Sequence, residues 1–232
     1  MKQHACINSV VGSDLIRTEP IGGPTGQRAY LNGCLRVSTT LDVEALFLML
    51  RQLEDDLGRE RRLRWGARRI DLDLLLYGES SFQLSEPQLT VPHPRMSFRR
   101  FVLEPANQIA SELIHPRSGL TIGELLKRLN KLPDLIAMIV GADAAAKFQL
   151  AMQAAESLCQ KYGFQFISGT DELQRKQFAD AKLLLCLAED DSALLTRLQS
   201  FAGAILALSG TDQAALVKEL EAALCAMQPL QL

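Results

Sequence analysis

RRIDLDLLLYG, residues 68–78, sets two aspartates, Asp71 and Asp73, among Ile70, Leu72, Leu74, Leu75, Leu76 and Tyr77. The apolar content and the length read as a buried strand. On a strand, positions i and i+2 leave from one face, which puts the two carboxylates side by side with Cα atoms roughly 7 Å apart. Like charges so placed repel unless a cation lies between them. Hard oxygen donors from few residues, with room left for water and phosphate, suit Mg²⁺. A DxD on an edge strand is otherwise a solvated face. Here the apolar neighbours disfavour free solvation, and Arg68 and Arg69 beside them favour a phosphate-bearing ligand.

The residues just upstream extend that chemistry. GRERRLRWGARR carries Arg59, Arg61, Arg64 and Arg68, whose guanidinium forks are suited to clamp the phosphates that a metal holds by other oxygens. An arginine run is more commonly a solvated surface, and its place directly before the carboxylate pair is what raises the alternative. Trp65, the only tryptophan, sits between arginine and glycine, a poor place for a core residue and a good one for stacking on a flat ligand.

Composition bounds the rest. The 232 residues carry a formal net charge of −2 and are 47% hydrophobic, as in an ordinary soluble globular protein. Overall charge argues against a nucleic-acid partner, although ten arginines between Arg51 and Arg100 make that stretch locally cationic. The five cysteines form no CxxC pair and read as reduced thiols in a cytoplasmic protein. The longest apolar runs are about strand length, so no membrane role is expected. Oligomeric state is not legible.

Along the chain, Ser13–Thr18 and Tyr30–Ser38 read as extended segments separated by a Gly/Pro loop. DVEALFLMLRQLEDDLGRE places Val43, Leu46, Phe47, Leu50, Leu53 and Leu57 at helical spacing, with Asp42 as N-cap and Gly58 as terminator. A helix is expected near Phe98–Ile109, and TIGELLKRLN opens another with Thr121 and Glu124 as a capping box. Beyond KLPD the texture changes. LIAMIVG, FQFISG, AKLLLCLAED and AILALSG alternate with helical patterns, which argues a parallel sheet with crossover helices. A boundary near Leu132–Asp134 divides the chain into residues 1–131 and 132–232.

RWGARRIDLDLLLYG, LTVPHPRMSFRRFVLEPANQIA and, upstream, RTEPIGGPTGQRAYLNGCLRV together resemble 6-hydroxymethyl-7,8-dihydropterin pyrophosphokinase, an enzyme of folate biosynthesis. The resemblance covers roughly residues 10–130 with three motifs in register. It implies an α+β, ferredoxin-like domain and Mg-dependent transfer of diphosphate from ATP to the pterin hydroxymethyl oxygen. By that resemblance Asp71 and Asp73 carry two Mg²⁺ ions. Arg59, Arg61, Arg64 and Arg68 belong to a mobile, phosphate-contacting stretch, with Arg59 and Arg68 on the catalytic side. His93 and Arg99 match the nucleotide-side pair. Thr18, Pro20, Tyr30, Asn32, Trp65 and Phe101 match the pterin pocket, with Glu54 a supporting acid. The family's opening strand, Gly-Ser-Asn turn and helix have only MKQHACINSV in their place. A missing central strand would leave unpaired backbone and apolar surface.

The second region carries a weaker signal. Gly141 to Lys147 have the spacing of a P-loop, but Ala146 replaces a glycine and Phe148 the Ser/Thr that would ligate Mg²⁺. AKLLLCLAEDDSALLTRLQ resembles the later half of deoxynucleoside kinases, which reads as a degenerate kinase-like α/β fold serving as an appendage. Three functions thus remain open: a pterin diphosphokinase, a non-catalytic remnant acting as a scaffold, and a nucleoside kinase working through the C-terminal half.

Overall fold

The computed structural model describes residues 5–20, 29–58, 70–86, 88–140, 149–169, 178, 180–188, 204–209 and 212–229. The arginine-rich stretch 59–69, including Trp65, and the P-loop-like residues 141–148 lie outside these.

The N-terminal half is α+β. β1 (Ile7–Gly12) pairs antiparallel with β4 (Leu35–Thr39), and β2 (Ile16–Thr18) with β3 (Tyr30–Asn32). Of the two extended stretches expected from sequence, the first is therefore shortened to residues 16–18 and the second is interrupted at residues 33–34. α1 (Val43–Asp56) starts where Asp42 accepts a hydrogen bond from Ala45 N–H, and buries Val43, Leu46, Phe47 and Leu50. It ends at Gly58, whose φ of 84° is a left-handed conformation that glycine tolerates best. β5 (Phe82–Leu84) and β6 (Leu89–Val91) form a third two-stranded ladder. A 3₁₀ turn (Met96–Phe98) leads into α2 (Arg100–Ala110), and α3 (Ile122–Lys131) packs on α2.

Residues 70–78 depart from the expected strand. Residues 70–76 are in no ladder, and only Tyr77 makes an isolated bridge, to Ser80. A strand exists through its neighbour, and β4, the extended segment opposite, is separated from residues 71–78 by a cavity of about 460 Å³. Leu46 and Leu50 of α1, Ala106, Ile109 and Ala110 of α2, and Ile122 of α3 line the cavity as well. The resemblance implies an α+β, ferredoxin-like domain. Among the described residues the N-terminal strands form three separate two-stranded ladders. Val11, Leu31 and Leu35 are left exposed on the first two, and Leu15 on the link between them.

The C-terminal half follows its alternating pattern. β7 (Leu135–Val140), β8 (Gln165–Gly169), β9 (Leu183–Ala188) and β10 (Ala204–Ser209) form an all-parallel sheet in the order β10-β9-β7-β8. α4 (Gln149–Lys161) and α5 (Gln213–Met227) cover it, α5 being capped by Asp212. The runs of Ile, Leu and Met in β7 and β9 are those of strands buried on both faces. One of the helical patterns between the strand-like runs, DSALLTRLQSFAG (residues 191–203), falls outside the described residues.

One core joins the two halves. Met96, Phe98, Leu103, Ile122 and Leu129 belong to the same buried cluster as Ile136, Leu185, Leu206, Leu220 and Leu224. No helix among the described residues is long and apolar enough to cross a membrane.

Candidate active site

Residues 70–74 alternate in exposure even without a ladder. Asp71 and Asp73 are exposed, while Leu72 and Leu74 are half-buried. Three anchors hold this segment. Leu72 N–H donates to Oε1 of the buried Glu54 at 2.8 Å. His93 N–H donates to Leu75 O at 2.9 Å. Tyr77 OH donates to Leu41 O at 2.7 Å, its ring meeting Phe82 edge-on at 5.7 Å.

The turn after β6 brings the cationic groups to this segment. His93 Nε2 lies 3.7 Å from Asp73 Oδ2. Arg95 N–H donates to His93 Nδ1 at 3.1 Å. An acceptor Nδ1 leaves the ring proton of a neutral imidazole on Nε2, facing Asp73. Burial pulls the His93 pKa below its ordinary value. Asp73 opposes that shift, and Arg99 and Arg95 add to it. Arg99 is likewise lowered, first by burial and then by Arg95, and is favoured in its charged form by Asp73, Asp71 and Glu219. Two carboxylates and the groups of residues 93–99 therefore form one electrostatic cluster.

A polar hairpin adjoins it through α2. Asn32 Nδ2 donates to Thr18 Oγ1 at 2.8 Å across the β2–β3 ladder, where Thr18 faces Tyr30. Thr18, Pro20, Tyr30, Asn32 and Phe101 are all half-buried. Phe101 carries the Arg99 guanidinium 5.6 Å above its ring, and α2 packs against β2 and β3. The cationic turn and the β2–β3 hairpin thus meet at the start of α2.

Among the sequence-derived residues, Asp71, Asp73, His93 and Arg99 come together. Glu54 supports the backbone between the aspartates. Arg59, Arg61, Arg64, Arg68 and Trp65 lie outside the described residues. Two participants went unpredicted. Arg95 was available within VPHPRM, two residues after His93. Glu219, its ion-pair partner at 2.6 Å, sits 124 residues away and carries no local signal.

The donor set suits a hard cation. Two exposed carboxylates offer oxygen ligands, and among the described residues no cluster of three or more His, Cys, Asp or Glu supplies a closed cage. The remaining positions of an octahedral Mg²⁺ would fall to phosphate and water.

Taken together, the N-terminal half is an α+β domain that presents paired carboxylates, flanked by cations, next to a polar hairpin. Residues 1–111 match the 7,8-dihydro-6-hydroxymethylpterin-pyrophosphokinase family. Several relatives bear the name 2-amino-4-hydroxy-6-hydroxymethyldihydropteridine pyrophosphokinase. That of Synechocystis is 40% identical over 118 residues, 51% of this chain and 58% of its own length. That of Haemophilus influenzae is 40% identical over 119 residues, 51% of this chain and 72% of its own. That of Pseudomonas aeruginosa is 41% identical over 117 residues, 50% of this chain and 70% of its own. The chain belongs to this pyrophosphokinase family, and its matched part spans between 58% and 72% of the length of these relatives.

Proposed function

We propose that the chain catalyses transfer of diphosphate from ATP to the hydroxymethyl oxygen of 6-hydroxymethyl-7,8-dihydropterin, the folate-pathway reaction. The observation that carries this reading is the convergence of Asp71, Asp73, His93 and Arg99 beside the Thr18–Asn32 hairpin. In the reaction the pterin oxygen bonds to the β-phosphorus. The bond from that phosphorus to the α,β-bridging oxygen breaks, and AMP leaves with the bridging oxygen.

Asp71 and Asp73 would hold Mg²⁺, two ions in this reading, and a bound metal would neutralise charge on the polyphosphate. His93 and Arg99 would receive phosphate oxygens from the opposite side, joined by Arg61 and Arg64, while Arg59 and Arg68 would close on the transferring group. Asn32, held by Thr18, has amide donors and an acceptor to match the amide-like edge of a pterin. Tyr30, Pro20 and Phe101 would complete the ring pocket with Trp65 stacked above, and Glu54 would brace the segment. No covalent intermediate is required; the work is positioning and charge neutralisation.

The test is AMP release by the purified chain given MgATP and the hydroxymethylpterin, with the pterin diphosphate identified by mass. Turnover is expected and should disappear in Asp71→Asn and Asp73→Asn. Product formation undiminished in both variants would remove the metal assignment.

One observation favours a second reading, a chain that keeps the fold without turnover: the segment bearing both aspartates lacks a ladder neighbour across the 460 Å³ cavity. Ligand binding without AMP release would select it. For the C-terminal half we propose a packing role without kinase activity, since Ala146 and Phe148 lack the freedom and the hydroxyl that a P-loop uses.

A further inference from the structure

The C-terminal half lies beyond the family match, which ends at residue 111, yet it touches the candidate site. α5 packs on the 3₁₀ turn and on α2, and buries Leu216, Leu220 and Leu224 in the core shared with Phe98 and Leu103. Two polar contacts cross with it. Arg100 Nε donates to Met227 O at 3.3 Å, and Arg95 Nη2 donates to Glu219 Oε1 at 2.6 Å. The second contact falls within the site. Arg95 fixes His93 through its own N–H, and the charges of Arg95 and Glu219 both register at Arg99. A carboxylate from the second half therefore stands at the edge of a cationic cluster.

We propose that Glu219 is a positioning residue acting through Arg95: it holds the guanidinium on α5, so that nucleotide phosphates must compete with a carboxylate for it. This rests on the reading of residues 93–99 as the nucleotide side. The Arg95 and Glu219 side chains remain 38% and 34% exposed, so a ligand can reach the pair and exchange partners with it. The ion pair satisfies Arg95 without a ligand. An incoming polyphosphate must either displace Glu219 or accept its negative charge nearby. Both routes lower nucleotide affinity, and both depend on α5 being seated against the turn. The C-terminal half thus sets the affinity of a site whose chemistry lies wholly in the N-terminal half.

The test is calorimetric binding of MgATP, without pterin, to the full chain and to Glu219→Gln, Arg95→Gln and the double variant at low salt. Exposed ion pairs are weak, so Glu219→Gln should tighten binding by roughly fivefold. In the Arg95→Gln background the same change should have little further effect. Melting temperatures recorded in parallel should be nearly unchanged, because the pair is partly solvated. Unchanged or weaker binding by Glu219→Gln would overturn the proposal. So would equal tightening in the Arg95→Gln background, which would mean a diffuse charge effect, or no MgATP binding by either the natural chain or Glu219→Gln. A chain that binds MgATP but releases no AMP would count against the proposed reaction, while the affinity ratio would still decide this point.

Discussion

At Glu54 a charged residue type is buried in the last turns of α1 and accepts a hydrogen bond from the Leu72 backbone between the two aspartates. Removing one partner of a buried hydrogen bond strands the other, so Glu54→Ala should cost about 1–3 kcal/mol, read as a lower urea midpoint. It should also weaken the Mg²⁺ dependence of ATP binding, because it frees the segment that carries Asp71 and Asp73. Glu54→Gln keeps the acceptor and should retain most of both. His115 makes a different residue-scale prediction. Its Nδ1 accepts from Ser118 N–H at 3.3 Å, and burial, aided by Arg117, lowers its pKa from 6.5 to about 4. Below pH 6.5 the unfolded chain takes up a proton that the folded chain refuses. Stability should therefore fall between pH 6.5 and about 4, by up to about 3 kcal/mol, and level off below. Above pH 6.5 both states are neutral and this group contributes no slope. Chemical denaturation across that range, compared with His115→Asn, isolates the effect: the variant should show a shallower acid slope.

Among the elements, α3 shows what a local signal is worth. Thr121 Oγ1 accepts from Glu124 N–H at 3.2 Å, and Glu124 Oε2 returns a bond to Thr121 N–H at 2.8 Å. Thr121→Ala should destabilise the fold by about 1 kcal/mol, measured as a shift in denaturant midpoint at unchanged slope. Features of this range were legible in the sequence. Asp42 and Gly58 bound α1 correctly, Thr121 and Glu124 mark α3, and the apolar runs of β7 to β10 reveal a parallel sheet. Each depends on residues only a few positions apart. The DLD segment does not, because strand identity is conferred by a neighbour, and β4 stands across a cavity. The same limit hid Glu219. Nothing local to α5 says that this carboxylate meets Arg95, whereas His93 and Arg99 could be placed because they share one short motif with the turn that aims them. β1 fell wholly outside the expected extended stretches because Ile7–Gly12 lacks the apolar alternation that marks a strand, its residues being mostly exposed.

Across the whole molecule, the change of texture near Leu132 does not divide the core. Fully buried Leu224 of α5 lies in one cluster with Phe98 and Leu103 from the N-terminal half and with Leu185 from the parallel sheet. Arg100, itself buried and held within its own half by Glu104 and Asn130, ties the two halves again through Met227 O. The shared apolar cluster and the buried cation couple the halves across that division. The halves are therefore expected to unfold together. Leu224→Ala removes buried methyl groups where neighbours from three elements cannot all collapse inward, which should cost about 2–5 kcal/mol. The readout that distinguishes one unit from two is Trp65, the only tryptophan, which lies in the N-terminal half. If the core is continuous, Trp65 emission and far-ultraviolet dichroism of the Leu224→Ala chain should move to lower denaturant together and stay coincident. A dichroism transition that shifts while Trp65 emission keeps its original midpoint would show that the C-terminal half melts alone, and the shared cluster would then be a contact between domains instead of a common core.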